Sequence, residues 1–257
     1  MGLHPRLIDA HAHFDDASFD ADRSQALRRA QEAGVEAQVI PAVKSDWWPR
    51  IRRLCQTHAI LYPSYGLHPM FLDDHRPGHL DLLAAWIERE KPVAVGECGL
   101  DFYIDDPRPE EQQRYFEGQL EIAQANDLPV IIHARRSVEA IINTLRRYPS
   151  VSGMLHSYAG SEQQALRLID MGFYLSFGGP ITYERATRLH QLLRELPLTS
   201  ILLETDAPDQ PGRRHRGERN EPAYLPEVLA ALSELRDEAP ETIAAQTRDN
   251  TRRLFRL

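Results

Sequence analysis

The segment Leu7–Phe14 reads Leu-Ile-Asp-Ala-His-Ala-His-Phe, a short apolar run that carries two histidines two residues apart. Successive side chains of a β-strand point to opposite faces, so His11 and His13 are predicted to project from the same face. Two converging imidazoles at the end of a strand are half of a divalent metal site. A pair of surface histidines explains an isolated His-x-His about as well, so the later segments must decide.

Composition indicates an ordinary globular protein, with 257 residues, 42% hydrophobic and 26% charged. This length suits one large domain over residues 1–257. No apolar run approaches the roughly 20 residues that cross a bilayer. The first seven residues lack the apolar stretch and cleavage site of a signal peptide. We therefore expect a cytoplasmic protein with no membrane partner. Two cysteines are too few to predict a disulfide framework.

Eight strand-like apolar runs alternate with amphipathic segments of helical spacing. The predicted strands span 7–14, 35–43, 61–68, 93–100, 129–133, 153–156, 173–177 and 201–204. The predicted helices span 22–33, 47–58, 79–90, 110–126, 138–148, 161–171, 183–193, 222–236 and 240–255. This alternation predicts an α/β fold, a (β/α)8 TIM barrel of the metal-dependent hydrolase type. A doubly wound open sheet is the alternative, but no Gly-x-Gly-x-x-Gly follows the first strand to support it.

Histidines and carboxylates follow several predicted strands at their C-terminal ends. In a TIM barrel these ends form the rim on which active sites are built. A single histidine there is more often a hydrogen-bonded core residue than a ligand, but so many matching positions favour a shared metal site. Four imidazoles and two carboxylates exceed what one ion with an open position needs, and they suit two divalent ions with a bridging carboxylate. The predicted ligands are His11, His13, Glu97, His133, His156 and Asp206.

Three of the rim residues are assigned catalytic roles. Glu97 is the candidate bridge between the two ions. Asp206 is expected to ligate the first ion and to act as the base that orients the attacking water. His68 lies outside the ligand set, and it either binds substrate phosphate and steadies the transition state or has a structural role.

The charge pattern restricts the partners. A net charge of −8 argues against broad nonspecific binding of duplex DNA, which depends on neutralising phosphates. A local basic cluster can still hold a phosphate backbone. The densest cluster is Arg213–Arg219, where Arg213, Arg214 and Arg216 are candidate substrate-binding residues; a solvated arginine loop is the alternative.

Further candidates for substrate contacts lie beside the predicted ligands. Arg135, two residues beyond His133, is predicted to contact phosphate, with a salt bridge to a rim carboxylate as the alternative. Tyr158 and either Phe102 or Tyr103 are candidates for stacking on an unpaired base, although such aromatic residues more often pack the mouth of a barrel.

Motifs along nearly the whole chain, taken together in order, resemble the TatD family of metal-dependent deoxyribonucleases, which belongs to the amidohydrolase-like TIM barrels. All six predicted metal ligands are present in these motifs. Its motifs are His11-x-His13, Gly66-Leu67-His68-Pro69, Gly96-Glu97-x-Gly99-Leu100-Asp101, His133, His156, Glu204-Thr205-Asp206, Arg219-Asn220-Glu221-Pro222 and Asn250-x-x-Arg253-Leu254-Phe255.

The resemblance implies that the six ligands form a dinuclear site for Mg²⁺, Mn²⁺ or Zn²⁺. It also implies cleavage of DNA phosphodiesters as a 3′–5′ exonuclease, with single-stranded DNA or 3′ ends as the expected partner and a monomer as the expected state. One alternative is an amidohydrolase or lactonase that acts on a small anionic molecule, since metals activate water whatever the leaving group. A noncatalytic nucleic-acid-binding barrel is a second alternative, which the complete ligand set disfavours.

Overall fold

A computed structural model of the protein describes residues 5–257, in which eight β-strands alternate with α-helices. The strands are β1 (Leu7–Asp9), β2 (Val35–Pro41), β3 (Leu61–Tyr65), β4 (Ala94–Asp101), β5 (Val130–Arg135), β6 (Gly153–Leu155), β7 (Phe173–Phe177) and β8 (Ile201–Leu203). The helices are α1 (Arg23–Glu32), α2 (Trp48–Thr57), α3 (His79–Glu90), α4 (Pro109–Ala125), α5 (Val138–Leu145), α6 (Glu162–Asp170), α7 (Thr187–Glu195), α8 (Leu225–Arg236) and α9 (Pro240–Phe255).

The strands are ordered from β1 to β8 in one sheet, as in a barrel built from successive strand–helix units. Strands β3 to β6 pair in parallel with their neighbours in the chain, as do β1 with β2 and β7 with β8. The amide of Ala10 donates to the carbonyl of Leu203 at 3.0 Å, so the chain just after β1 bonds to β8. The predicted (β/α)8 TIM-barrel fold is confirmed.

The chain forms two compact units. Unit 1 combines the chain up to Ile40 with Leu175–Leu257. In its core, α9 packs on β1 and β8, and Asn250 of α9 donates through Nδ2 to the carbonyls of Leu198 (2.8 Å) and Ile201 (2.9 Å). This buried amide fixes the start of β8. The single domain that we expected over residues 1–257 stays a prediction.

Unit 2 comprises Pro41–Tyr174. Consecutive Ile131 and Ile132 of β5 point to opposite faces and are both fully buried, as in a parallel strand that is covered on both faces. Helix α4 packs on β4 and buries Phe116 and Leu120 completely. Among the residues that the structure describes, none of the helices combines the length and apolar character that crossing a bilayer demands.

The predicted first strand is too long. β1 ends at Asp9 rather than Phe14, so His11 and His13 follow the strand instead of lying on it. The carboxylate of Asp9 accepts a hydrogen bond from the amide of His11 at 3.3 Å. Backbone bonds continue beyond the strand, since the amide of Ala12 donates to the carbonyl of Val39 at 3.1 Å.

Candidate metal centre

Unit 1 brings together three potential metal ligands: His11, His13 and Asp206. The Nε2 atoms of the two histidines lie 3.3 Å apart. Oδ1 of Asp206 lies 3.4 Å from His11 Nε2 and 3.6 Å from His13 Nε2. Ligand atoms that share one tetrahedral ion at about 2.1 Å lie about 3.4 Å from one another. The donor atoms of this cluster therefore fit a single divalent ion.

A buried aspartate holds this cluster in place. The carboxylate of Asp9 accepts from the amide of His11 and from both the amide (2.9 Å) and the hydroxyl of Thr205. Burial raises the pKa of Asp9 to about 7, although its hydrogen bonds with Thr205 act in the opposite direction. The amide of Asp206 also donates to the carbonyl of His11 at 2.9 Å. These bonds tie the chain after β1 to the chain after β8, where the ligands lie.

Three imidazoles converge on one oxygen of Glu97 in unit 2. Oε1 of Glu97 lies 2.9 Å from Nε2 of both His68 and His156. It lies 3.2 Å from Nδ1 of His133. The glutamate is 1% exposed, and a buried anion needs compensation by positive charge or hydrogen-bond donors. This is a carboxylate–imidazole donor set of the kind that binds a divalent ion.

Asp101 determines how His133 faces this centre. Its Oδ2 lies 2.9 Å from His133 Nε2, so that nitrogen donates its proton to Asp101 and the orientation of the ring is fixed. A carboxylate behind a histidine is the usual support of a metal-bound imidazole. Burial lowers the pKa of His133, but hydrogen bonds to Asp101 and Glu97 outweigh it and raise the value overall. The surroundings of His133 thus favour a positive charge, which suits a metal cation.

His68 contacts Glu97 in this structure. Its Nδ1 accepts from the amide of Met70 at 3.1 Å, and burial lowers its pKa to about 4. The ring is therefore neutral at pH 7, and its Nε2–H donates to Glu97. His68 positions the glutamate, and its direct action on substrate phosphate stays a prediction.

Two buried glutamines of α4 hold the strand ends that carry these residues. Gln119 exchanges two hydrogen bonds with the backbone of Leu67, at 2.8 and 3.0 Å, next to His68. Gln112 does the same with the backbone of Asp101, at 2.7 and 2.8 Å. Neither glutamine was predicted from the sequence, nor was the role of Asp101. The only signal for them was a pair of glutamines seven residues, or two turns, apart on one helix.

The arginines after β8 lie largely among carboxylates. Arg213 pairs with Glu184, and Arg214 lies 3.9 Å from Glu227. Arg216 is exposed. Their predicted role in substrate binding stays a prediction, and the two pairs already offset part of the charge of the cluster.

The substrate-contact candidates of unit 2 differ in exposure. Arg135 is exposed at the end of β5, with its Cζ 3.9 Å from the ring centroid of Tyr103. Tyr158 is 3% exposed and donates its hydroxyl proton to Ser161 O at 2.7 Å, so its side chain packs rather than offering a ring to a base.

Comparison with known proteins identifies the family of this chain. The family model "TatD related DNase" matches residues 8–256. The chain is 41% identical to an uncharacterized metal-dependent hydrolase YjjV of Escherichia coli K12, over 98% of both chains. It is 32% identical to the 3′-5′ ssDNA/RNA exonuclease TatD of Salmonella typhimurium, over 98% of this chain and 99% of that one.

A solved structure has a closely similar backbone fold. The crystal structure of YjjV, a TatD homologue from Escherichia coli K12, matches with a TM-score of 0.95 and 40% identity, covering 99% of this chain and 100% of that chain. The sequence resemblance, the enzyme class and the TIM-barrel fold agree with these matches. The chain belongs to the TatD-related DNase family of metal-dependent hydrolases.

Proposed function

We propose that this hydrolase is a nuclease that removes nucleotides from the 3′ end of single-stranded DNA by phosphodiester hydrolysis. The observation that carries the proposal is the convergence of three imidazoles on one oxygen of buried Glu97. Membership of the family and a relative named as a 3′-5′ ssDNA/RNA exonuclease support the choice of substrate.

Two divalent ions, Mg²⁺, Mn²⁺ or Zn²⁺, are part of this proposal. The residues that would hold them are His11, His13, Glu97, His133, His156 and Asp206. The donor set supports this assignment, since imidazole nitrogens and carboxylate oxygens suit all three metals to differing degrees. Bound ions of this kind lower the pKa of water and polarise phosphoryl oxygens.

The residues of the chain supply orientation and charge. We propose that Asp206 orients the attacking water and receives its proton; its Oδ2 accepts a hydrogen bond from Gln210 Nε2, which fixes the carboxylate. Asp101 keeps His133 aligned through the 2.9 Å contact described above. Arg135 is exposed at the end of β5, and we assign it a contact with substrate phosphate.

The test is release of nucleotides from single-stranded DNA labelled at either end. With Mg²⁺ or Mn²⁺, the native protein should shorten a 5′-labelled strand stepwise and release a 3′ label first. Glu97→Gln removes the central anion and should lower the rate at least about a hundredfold, since even residues behind a metal ligand alter activity by that order. Glu88→Gln, at an exposed position of the same unit, is the matched control and should keep the native rate.

Two results would reject the proposal. If the native protein binds metal but cuts no nucleic acid, the nuclease function fails, and lactones, amides and small phosphodiesters become the substrates to screen. If Glu97→Gln cuts as fast as Glu88→Gln, the assigned centre is not the site of the reaction.

A further inference from the structure

Two consecutive arginines of unit 2 contact the same tyrosine ring. The Cζ atoms of Arg135 and Arg136 lie 3.9 and 4.2 Å from the ring centroid of Tyr103. Both arginines are exposed, and Tyr103 is 48% exposed. Cation–π attraction to the ring orients both guanidinium groups. The result is a preformed pair of cations at the surface.

The backbone is shaped to bring these two side chains together. Consecutive side chains of a strand point to opposite sides, and Arg135 is the last residue of β5. Arg136 then adopts a left-handed conformation with φ 55°, which is uncommon for a residue other than glycine. This turn allows two neighbouring arginines to reach one ring, which a continued strand would prevent.

The arginine pair is anchored to the candidate metal centre. Oδ1 of Asp101 accepts from the amide of Tyr103 at 2.8 Å, and the other oxygen of the same carboxylate contacts His133 Nε2 at 2.9 Å. The amide of Phe102 donates to the carbonyl of Arg135 at 2.9 Å. One carboxylate therefore positions both a metal-site imidazole and the tyrosine that holds the arginines.

The charge of the pair is not offset by ion pairs. Within residues 5–257, neither Arg135 nor Arg136 has a carboxylate oxygen within 4.0 Å, whereas Arg147 and Arg167 pair with Glu117 and Glu139. Two like charges held close together in a protein of net charge −8 favour binding of an anion.

We propose that Arg135, Arg136 and Tyr103 form a phosphate subsite, which binds a phosphate of the single strand next to the one that is cleaved. This inference rests on the proposed nuclease function and specifies its substrate as a strand with at least two phosphates. The two Cζ atoms are at most about 8 Å apart, given their distances to the shared centroid. Two exposed guanidiniums this close together can both donate charge-assisted hydrogen bonds to one phosphate that binds beside the ring. Tyr103 is a positioning residue here, because its ring is engaged by the arginines.

Binding without cleavage tests the subsite. Fluorescence anisotropy in EDTA measures the affinity of the metal-free protein for a labelled single-stranded oligothymidylate. Arg136→Gln should weaken binding about tenfold at low salt and should reduce the slope of log K against log salt by about 0.7, the value for one lost phosphate contact on a single strand. Arg147→Gln removes the same charge from an exposed arginine that is already paired, and it should change neither quantity.

Two further comparisons separate positioning from general damage. Tyr103→Phe keeps the ring and should bind like the native protein, whereas Tyr103→Leu should weaken binding as Arg136→Gln does. With Mn²⁺ present, the KM of Arg136→Gln for the oligonucleotide should rise about tenfold, whereas Arg147→Gln should keep the native KM.

The outcomes also distinguish this inference from the proposed function. If the native protein cuts the strand while Arg136→Gln and Arg147→Gln bind it equally well, the subsite is wrong and the nuclease stands. If the strand binds through Arg136 but no nucleotides are released with any of the three metals, the nuclease function is wrong and the phosphate subsite stands. Tyr103→Phe binding as weakly as Tyr103→Leu would overturn the positioning role of the ring.

Discussion

Glu97 owes its position partly to a glycine on the neighbouring strand end. A Cβ atom on Gly66 would lie 2.5 Å from the carbonyl carbon of Gly96 and 2.7 Å from the amide nitrogen of Glu97. These are rigid backbone atoms, so a side chain at residue 66 would push the chain that carries the glutamate. The carbonyl of Gly66 also accepts a hydrogen bond from Trp48 Nε1 at 3.1 Å, which limits any movement away from β4.

We expect Gly66→Ala to lower both activity and stability. The added methyl group should displace Glu97 from its imidazoles, reduce metal-dependent cleavage at least about tenfold and lower the free energy of unfolding by about 1–3 kcal/mol. Activity assays and urea denaturation check this. Gly78→Ala is the control, because a Cβ there meets nothing within 4 Å. Equal behaviour of the two variants would mean that the close approach at Gly66 is unimportant.

At the level of single residues, the sequence indicated which side chains are chemically able to bind a metal, but not which other side chains they contact. His133 and Glu97 could be named because few residue types bind metals and because they follow apolar runs. Asp101 was only part of a motif, since its pairing with His133 depends on how β4 and β5 register across the sheet. His68 was placed at the rim, but its contact with Glu97 depends on the turn that follows β3, which periodicity does not describe.

At the level of elements, helices were easier to predict than strand ends. The predicted helices 79–90 and 240–255 coincide with α3 and α9, because a 3.6-residue pattern is repeated over several turns. β1 and β3 end before the histidines that follow them. A short strand offers few residues for a pattern, so the sequence does not determine where it ends.

An ion-pair network of unit 1 joins α1 to the chain before α8. Asp22 contacts Arg219 Nη1 at 2.7 Å and Arg29 Nη2 at 2.8 Å, and Glu221 contacts the same two arginines. Hydrogen bonds from Arg219 and Arg29 hold the pKa of Asp22 well below its ordinary value of 3.8. A carboxylate with a lowered folded-state pKa stabilises the fold above its unfolded pKa, and this contribution is lost as the pH falls through the folded value.

We therefore expect Asp22→Asn to destabilise the protein in a pH-dependent way. At pH 7 the substitution should lower the free energy of unfolding by about 1 kcal/mol, because the pairs are partly exposed to solvent. The difference from the native protein should narrow as the pH falls below about 4. Urea denaturation at pH 7 and pH 3 measures both values, with exposed Asp105→Asn as control. A difference that is the same at both pH values would show that the charge of Asp22 is not the cause.

At the level of the whole molecule, the alternation of strands and helices was enough to predict the fold class. The bond between Ala10 and Leu203 that connects β1 with β8 could not be read from periodicity, which indicates units but not closure. Overall charge argues against broad duplex binding, which stays a prediction. It did not reveal the paired guanidiniums of Arg135 and Arg136, because that arrangement depends on one left-handed residue.

The central claim is that the imidazole–carboxylate cluster of each unit binds a divalent ion. Titration calorimetry of the metal-free protein with Mn²⁺ tests it most directly. We predict two ions bound per native chain and one ion bound after either Asp206→Asn or Glu97→Gln. A native protein that binds no Mn²⁺, or variants that both retain two ions with native affinity, would contradict the account.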